Sequence, residues 1–281
     1  MIARLVGQRN LYWLLILPAL FMMVVFFVYP LARVLWVSVT EPAPGLANYG
    51  LLFTSPAVQR IIVTTIRICT ITSVLTLVLG YVVAYAMVHV TEAHRQWMLF
   101  CVLLTFWLSV LVRAFAWVMI LRSEGPVNGA LLGLGLVERP VQLVRNEIGV
   151  VIGMVHYMLP YAVLPLYANM QGIDRRLVAA ARGLGASPFV AFWRVFLPLN
   201  RPGIVGAGLL VFVFSLGFYI TPAILGGGRT TMIAEYIGIQ ILATVRWGLA
   251  TMLASSLLVT VFLMIFLMSR VVSLRRLFGA A

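Results

Sequence analysis

The sequence predicts an all-α integral membrane protein of about six transmembrane helices, and three observations carry that expectation. Of the 281 residues, 63% are hydrophobic and only 10% charged, too apolar a composition for a water-soluble fold. Six stretches, approximately 11–36, 61–90, 97–121, 149–171, 203–224 and 249–272, reach the roughly 20 apolar residues a helix needs to cross a bilayer. Between the fourth and fifth, residues 172–202 form an arginine-rich island with helical periodicity. Together they describe one transmembrane domain over residues 1–281 that carries a structured loop outside the bilayer.

The first stretch follows Arg4 and Arg9 as a secretory signal would. Its apolar run is longer than a signal's and no small-residue cleavage site closes it, so it is expected to remain as an uncleaved first helix. Six spans place both termini on one side. All 20 basic residues are arginine, opposed by seven acids, for a net charge of +13. Such an excess suits nucleic acid as well as membranes, but here it follows topology rather than a nucleic-acid surface, because basic loops stay cytoplasmic. With the termini inside, the inner segments hold Arg4, Arg9, Arg95, Arg175, Arg176, Arg182, Arg194, Arg201, Arg270, Arg275 and Arg276. The outer ones hold only Arg60, Arg122, Arg139, Arg145, Arg229 and Arg246. The termini and the 172–202 loop are therefore expected in the cytoplasm.

That loop divides into two short helices. Asp174 is placed to cap the first, and Leu177, Ala180, Ala181 and Leu184 follow at i, i+3, i+4 and i+7 as one apolar stripe that ends at a C-terminal cap on Gly185. Ser187-Pro188 restarts a helix, with serine as cap and proline at the first helical position. Phe189, Phe192, Trp193 and Phe196 repeat the spacing, while Arg182 and Arg194 project elsewhere. Leu197-Pro198 and Pro202-Gly203 end the element before the next span. Two readings fit this amphipathic pair: a helix laid into a partner's groove, or a pair lying on the anionic inner leaflet.

Within the spans, ionisable groups are functional candidates by default. Arg113 lies inside the third stretch with Trp117 four residues on, so the two share a face. They form a cation–π pair or line a path, or else the arginine bonds carbonyls of a neighbouring helix. Arg33 and Arg67 sit nearer span ends and are expected to be structural, as is His156, a buried histidine with satisfied hydrogen bonds. Gly226-Gly227-Gly228 after Thr221-Pro222 predicts a helix break and a short helix from about Thr230. Tyr157, Tyr161, Tyr219 and, after the break, Glu235 complete the candidates for a solute path. No acid lies inside the six stretches, which disfavours an ion-coupled secondary transporter. Cys69 and Cys101 stand singly and are expected to be buried hydrophobes. His89, His94 and His156 lack metal-ligand spacing, and no nucleophile–base pairing stands out, so neither a metal site nor an enzyme is expected.

The 172–202 segment resembles the EAA loop of the membrane subunits of ATP-binding-cassette importers, with Ala180, Ala181, Gly185, Leu197 and Pro198 in register. It departs from that pattern at Ala179, where the family usually has glutamate, and at Val195, where it usually has isoleucine. Further segments look like the spermidine/putrescine branch of these permeases. They are Tyr29-Pro30-Leu31 with Arg33, Leu111-Val112-Arg113-Ala114-Phe115-Ala116-Trp117, Thr221-Pro222-Ala223 with Gly226-Gly227, and Trp247-Gly248-Leu249-Ala250.

The resemblance implies the type I importer permease fold, with residues 172–202 as its coupling helix. It also implies two ATP-binding subunits, a second permease subunit that is a different chain, and an extracytoplasmic solute-binding protein in the inner membrane of a bacterium. ATP-driven closure of the ATPases would tilt the permeases through Asp174, Ala180, Ala181, Gly185, Ala186, Leu197 and Pro198. No cofactor is expected on this chain, with ATP and Mg on the partner subunits. A phosphate-binding loop of the Gly-x-x-x-x-Gly-Lys-Ser/Thr type needs a lysine, and the sequence has none. The branch implies a polyamine as solute; an amino-acid derivative, an opine or an anion is the alternative.

Overall fold

The computed structural model describes residues 8–271; Arg4, Arg275 and Arg276, used above for orientation, lie outside them. The described residues are α-helical, with no strand among them. In chain order the helices are α1 (Gln8–Met23), α2 (Tyr29–Thr40), α3 (Ala47–Thr54), α4 (Pro56–His89), α5 (Glu92–Trp107), α6 (Val110–Leu121), α7 (Pro126–Gly133) and α8 (Glu147–Gln171). They continue with α9 (Arg175–Gly183), α10 (Pro188–Ala191), α11 (Leu197–Leu199), α12 (Arg201–Leu216), α13 (Ile233–Leu242) and α14 (Trp247–Val271).

Among the described residues, four segments are long and apolar enough to span a bilayer: Leu15–Thr40, α4, α8 and α14 up to Arg270. Two bent pairs raise the number to six. The predicted third span is one of them. Glu92–Trp107 and Val110–Gly133 meet at 102° because Leu108 and Ser109 take extended backbone, ψ 131° and 138°. No glycine or proline marks this break in the sequence, so hydropathy alone runs the stretch through it. The predicted fifth span stops early, at Leu216, and its helix meets the preceding Pro188–Leu199 segment at 61°.

Three π-helical turns, Val24–Val28, Phe192–Phe196 and Pro222–Gly226, interrupt the helices. Each contains or closely precedes a proline: Pro30, Pro198 and Pro222. Proline withholds an N–H and crowds the carbonyl one turn back. A one-residue widening re-pairs the neighbouring groups: Tyr29 N–H bonds the Val24 carbonyl and Leu197 N–H the Phe192 carbonyl.

The described residues group into two compact units, one up to Ser55 with Ile237–Val259, the other Pro56–Tyr236 with the rest. In the first unit, Ser38 Oγ and Tyr49 Oη lie 2.9 Å apart and join α2 to α3. The second unit holds the main core, built where α4, α8 and α12 pack on one another. In a bilayer, lipid is as apolar as the core, so close backbone approach and van der Waals contact drive such packing. Ala84, Ala162 and Ala207 are fully buried there. A Cβ on Gly80 would meet the Ala162 Cβ at 2.9 Å, so only glycine admits this α4–α8 contact. Polar anchors fix two helix starts. Asn146 Oδ1 accepts from Gly149 N–H at 2.9 Å to cap α8. Thr65 Oγ1, from within α4, accepts from Ile233 N–H at 2.8 Å at the start of α13.

Candidate functional site: the 174–200 element and the Arg113 cluster

The 174–200 element forms as its residues predict. Asp174 Oδ1 accepts from Arg176 N–H at 2.9 Å. After Gly183 the chain turns through Gly185 at φ +88°. Gly185 N–H bonds the Arg182 carbonyl and Ala186 N–H the Ala181 carbonyl, at 3.0 and 3.1 Å. These two bonds make a Schellman stop, whose left-handed position favours glycine. Ala180 completes the last helical turn by accepting from Leu184 N–H at 3.0 Å. Ser187 Oγ then accepts from Val190 N–H to start α10. Leu197 and Pro198 are half-buried in the short α11 that leads into α12.

The element has two faces. Leu177, Ala180 and Leu184 point outward with Phe189 and Trp193, and Leu184 and Phe189 are 90% and 72% exposed. The predicted single aromatic face proves to be two rows. Phe192 and Phe196 turn inward onto α4, their rings 5.4 Å from that of Tyr85, and Tyr81 meets Phe192 at 6.2 Å. Four residues at i, i+3, i+4 and i+7 cover an arc of about 100°; here one edge of that arc is buried and the other left open. Ala181 is likewise half-buried rather than part of the open row. Tyr81 and Tyr85 thus anchor this element to α4.

The second constellation lies where α6 meets α8. Arg113 is 9% exposed, and its guanidinium stands 4.3 Å from the centre of the Tyr157 ring. The cation–π partner is therefore Tyr157, not Trp117 as the i, i+4 spacing predicts. Trp117 Nε1–H instead donates to His156 Nδ1 at 3.1 Å, which gives one ring nitrogen of the expected buried histidine a partner, although His156 is half-buried. Tyr157 and Tyr161 stack at 6.1 Å. Phe218 lies 4.5 Å from Tyr157, while Phe214 and Phe106 lie 4.9 and 5.1 Å from Tyr161. The sequence reading missed these three phenylalanines, although Phe214 and Phe218 share a face at i, i+4. The Arg113 Nε atom is buried without a hydrogen-bond partner, so the alternative of carbonyl bonding is not realised at that atom. Among the described residues, no carboxylate pairs with Arg113.

Tyr219 and Glu235 are not joined to this cluster by any hydrogen bond, ion pair or ring contact among the described residues. Tyr219 is 43% exposed, whereas Glu235 is buried on α13 with Oε2 unpartnered. The predicted helix break is present, with Gly227 and Gly228 at φ +55° and +76°, and α13 starts at Ile233. Arg67 has a structural role, in an ion pair with Glu147. Cys69 is buried as expected, but Cys101 is exposed on the surface of α5, because that helix turns only part of its circumference to the core. No group of three metal-ligating side chains occurs among the described residues.

Comparison with known proteins places this geometry. Over 225 residues the chain is 32% identical to the spermidine/putrescine transport system permease protein PotB of Haemophilus influenzae, a match that covers 80% of this chain and 78% of that protein. The fold matches the crystal structure of a bacterial ABC transporter involved in the import of the acidic polysaccharide alginate. The TM-score is 0.76 at 20% identity, over 93% of this chain and 96% of that one. A second structure of a bacterial alginate ABC transporter, in complex with an alginate pentasaccharide-bound periplasmic protein, matches at TM-score 0.73 and 18% identity over 95% and 96%. Residues 76–277 match the family described as the binding-protein-dependent transport system inner membrane component. The chain therefore belongs to that family and is a multi-pass inner-membrane permease subunit of an ATP-binding-cassette importer, which leaves ATP hydrolysis to partner subunits.

Proposed function

We propose that this chain forms one half of a permease pair with a different sister chain, served by two copies of an ATP-binding subunit and by an extracytoplasmic solute-binding protein. In this reading residues 1–281 act as a single permease domain, with both termini and the 172–202 element in the cytoplasm, as the arginine count favours. ATP and Mg belong to the partner subunits. The outward row of α9 and α10 is the surface on which an ATP-binding subunit docks. The observation that carries this reading is the Schellman stop at Gly185 with the bare side chains Leu184 and Phe189 on either side of it. Large apolar side chains kept open on a structured, capped element mark a contact surface. Asp174, Ala180, Ala181, Gly185, Ala186, Leu197 and Pro198 shape that element.

The solute proposed is a polyamine of the spermidine/putrescine type. The relationship to PotB supports it, as does the Tyr161 ring, a surface that suits ammonium groups, whereas Tyr157 already carries the Arg113 guanidinium. Arg113, Trp117, Tyr157 and Tyr161 are the proposed path residues, with Tyr219 and Glu235 held as separate candidates. A second reading, an anionic or amino-acid-derived solute, is favoured by one observation: among the described residues no carboxylate pairs with Arg113. The test is ATPase stimulation of the reconstituted importer with its binding protein. Stimulation by putrescine or spermidine is expected; stimulation by anions alone would move the assignment to the second reading.

A further inference from the structure

On its inner side the 174–200 element borders an open recess of about 340 Å³, whose residues Arg175, Ala179, Arg182 and Pro188 are exposed. Its α9 wall is Arg175, Val178, Ala179 and Arg182, an i, i+3, i+4, i+7 row distinct from the outward row of Leu177 and Leu184. Val88 and His89 at the end of α4, with Phe192 and Phe196, supply much of the remaining lining. Arg175 Nη2 donates to the Val88 carbonyl at 2.9 Å, a favourable place for a cation at a helix C-terminus. Arg182 has no ion pair among the described residues.

No acid lines this cavity. Residues 172–202 contain five arginines and one acid, and that acid, Asp174, is engaged with the Arg176 N–H at the start of α9. The recess is thus cationic along one wall and mostly apolar along the others, where His89 and Tyr85 are the exceptions, and no carboxylate among the described residues balances it. Guanidinium groups pair carboxylates in charge-assisted, often bidentate, hydrogen bonds. The apolar lining fits an aliphatic stem better than a bare inorganic ion. The recess also joins the open row, because Pro188 and Phe192 line it and the Phe192 ring meets Trp193 at 5.6 Å.

We propose that this recess receives an acidic side chain of the ATP-binding subunit, held between Arg175 and Arg182; the proposal rests on the docking reading above. Ala179 is the position that leaves room for it. Residue 179 stands four residues after Arg175 and three before Arg182, so a glutamate here would pair with both arginines from within the helix. With alanine in place, the carboxylate comes from the partner.

The experiment uses the full importer, tagged on this chain, and measures how much ATP-binding subunit stays bound as NaCl rises. Arg182→Gln is expected to weaken retention about tenfold and to flatten its salt dependence. Ala179→Glu is expected to do the same by occupying the arginines itself, and it keeps the test decisive if Arg182→Gln is poorly folded. Arg95→Gln, which removes a charge away from the cavity, is expected to leave retention unchanged. Wild-type retention by both cavity variants at every salt concentration would overturn the proposal and leave the docking reading standing. Failure of the wild-type chain to hold any ATP-binding subunit would remove both. Two further results overturn it in favour of another occupant. One is stabilisation of the isolated permease by millimolar inorganic phosphate, abolished by Arg182→Gln, which means a free anion. The other is an Arg182→Gln defect seen in phosphatidylglycerol nanodiscs and absent in phosphatidylcholine, which means a lipid headgroup.

Discussion

The 174–200 element and the Arg113 cluster belong to the same compact unit and both combine arginine with aromatic rings, yet they are assembled in opposite ways. The caps and the turn of the element are set by bonds between residues two to five apart: Asp174 to Arg176, Leu184 to Ala180, Ala186 to Ala181, Val190 to Ser187; Arg175, Phe192 and Phe196 tie the shape so formed to α4. The cluster is held by contacts between α6 and α8 across about forty residues of sequence, with α5 and α12 adding rings. Local signals define a shape that keeps its apolar row open for a partner. Long-range packing defines a site in which a cation is buried on an aromatic face. The first arrangement is sensitive to backbone conformation, the second to charge and ring chemistry, and substitutions can separate the two.

The largest effect is expected at Gly185. At φ +88° any Cβ raises the cost of the turn, by about 1–2 kcal/mol for an ordinary L-residue and more for a β-branched one. A Cβ there meets nothing within 4 Å in this chain, so the penalty inside the subunit is conformational and not steric. Gly185→Val is expected to lower solute uptake by about thirtyfold or more, at normal membrane insertion, because a loss near 2 kcal/mol scales that way. Asparagine, which tolerates the left-handed region, should be milder than alanine, and alanine milder than valine. Equal damage from all three, measured as uptake per inserted subunit, would mean that close approach of a partner matters instead of φ.

How much of each region was legible follows from the same contrast. Caps, turn glycine and proline stops of the 174–200 element lie within one helical turn of the groups they satisfy, so the sequence displays them directly. The division of its aromatic stripe was hidden, because the spacing cannot say how much of a 100° arc the body covers. Arg113 and Trp117 share a helix face, but their actual partners, Tyr157 and His156, are decided by how α6 meets α8. The bend at Leu108 and Ser109 decides that meeting, and it carries no glycine or proline. The six apolar stretches were legible because burial in lipid acts on composition. α12 stops at Leu216, with Gly217 as its C-cap, a signal that the apolar run across residues 203–224 masks.

The next effect sharpens the other half of the comparison. Tyr157→Leu removes the face that Arg113 covers, while Tyr157→Phe keeps it. A cation–π contact at such a site is worth about 1–2 kcal/mol, so the leucine variant is expected to lower uptake by about five- to thirtyfold and the phenylalanine variant by twofold at most. Arg113→Gln should also reduce uptake without lowering the thermal midpoint, because it removes a buried charge that has no anionic partner. A large fall in midpoint with Arg113→Gln would make the arginine structural and leave Tyr157 alone in the path. The packing beneath both regions offers an internal reference. Gly80→Leu should destabilise the α4–α8 contact by about 1–3 kcal/mol, seen as a lower midpoint with no change in solute preference.

The smallest expected effect tests whether the element is as local as its bonds suggest. Asp174 caps α9 through one side-chain bond to the Arg176 N–H, and this exposed carboxylate has no ion pair among the described residues. Asp174→Ala removes the cap, at a cost of about 1 kcal/mol. Asparagine restores an oxygen of the same reach without the charge. If the cap alone matters, uptake should fall a fewfold with alanine and return to near wild type with asparagine. If the charge contributes by facing a basic group on the ATP-binding subunit, asparagine will resemble alanine, and the defect will shrink as salt rises. The outcome therefore distinguishes an element stabilised within its own few residues from one completed electrostatically by its partner. Either result bears on the arginine-lined recess, since Asp174 precedes Arg175 and is the one acid in the loop.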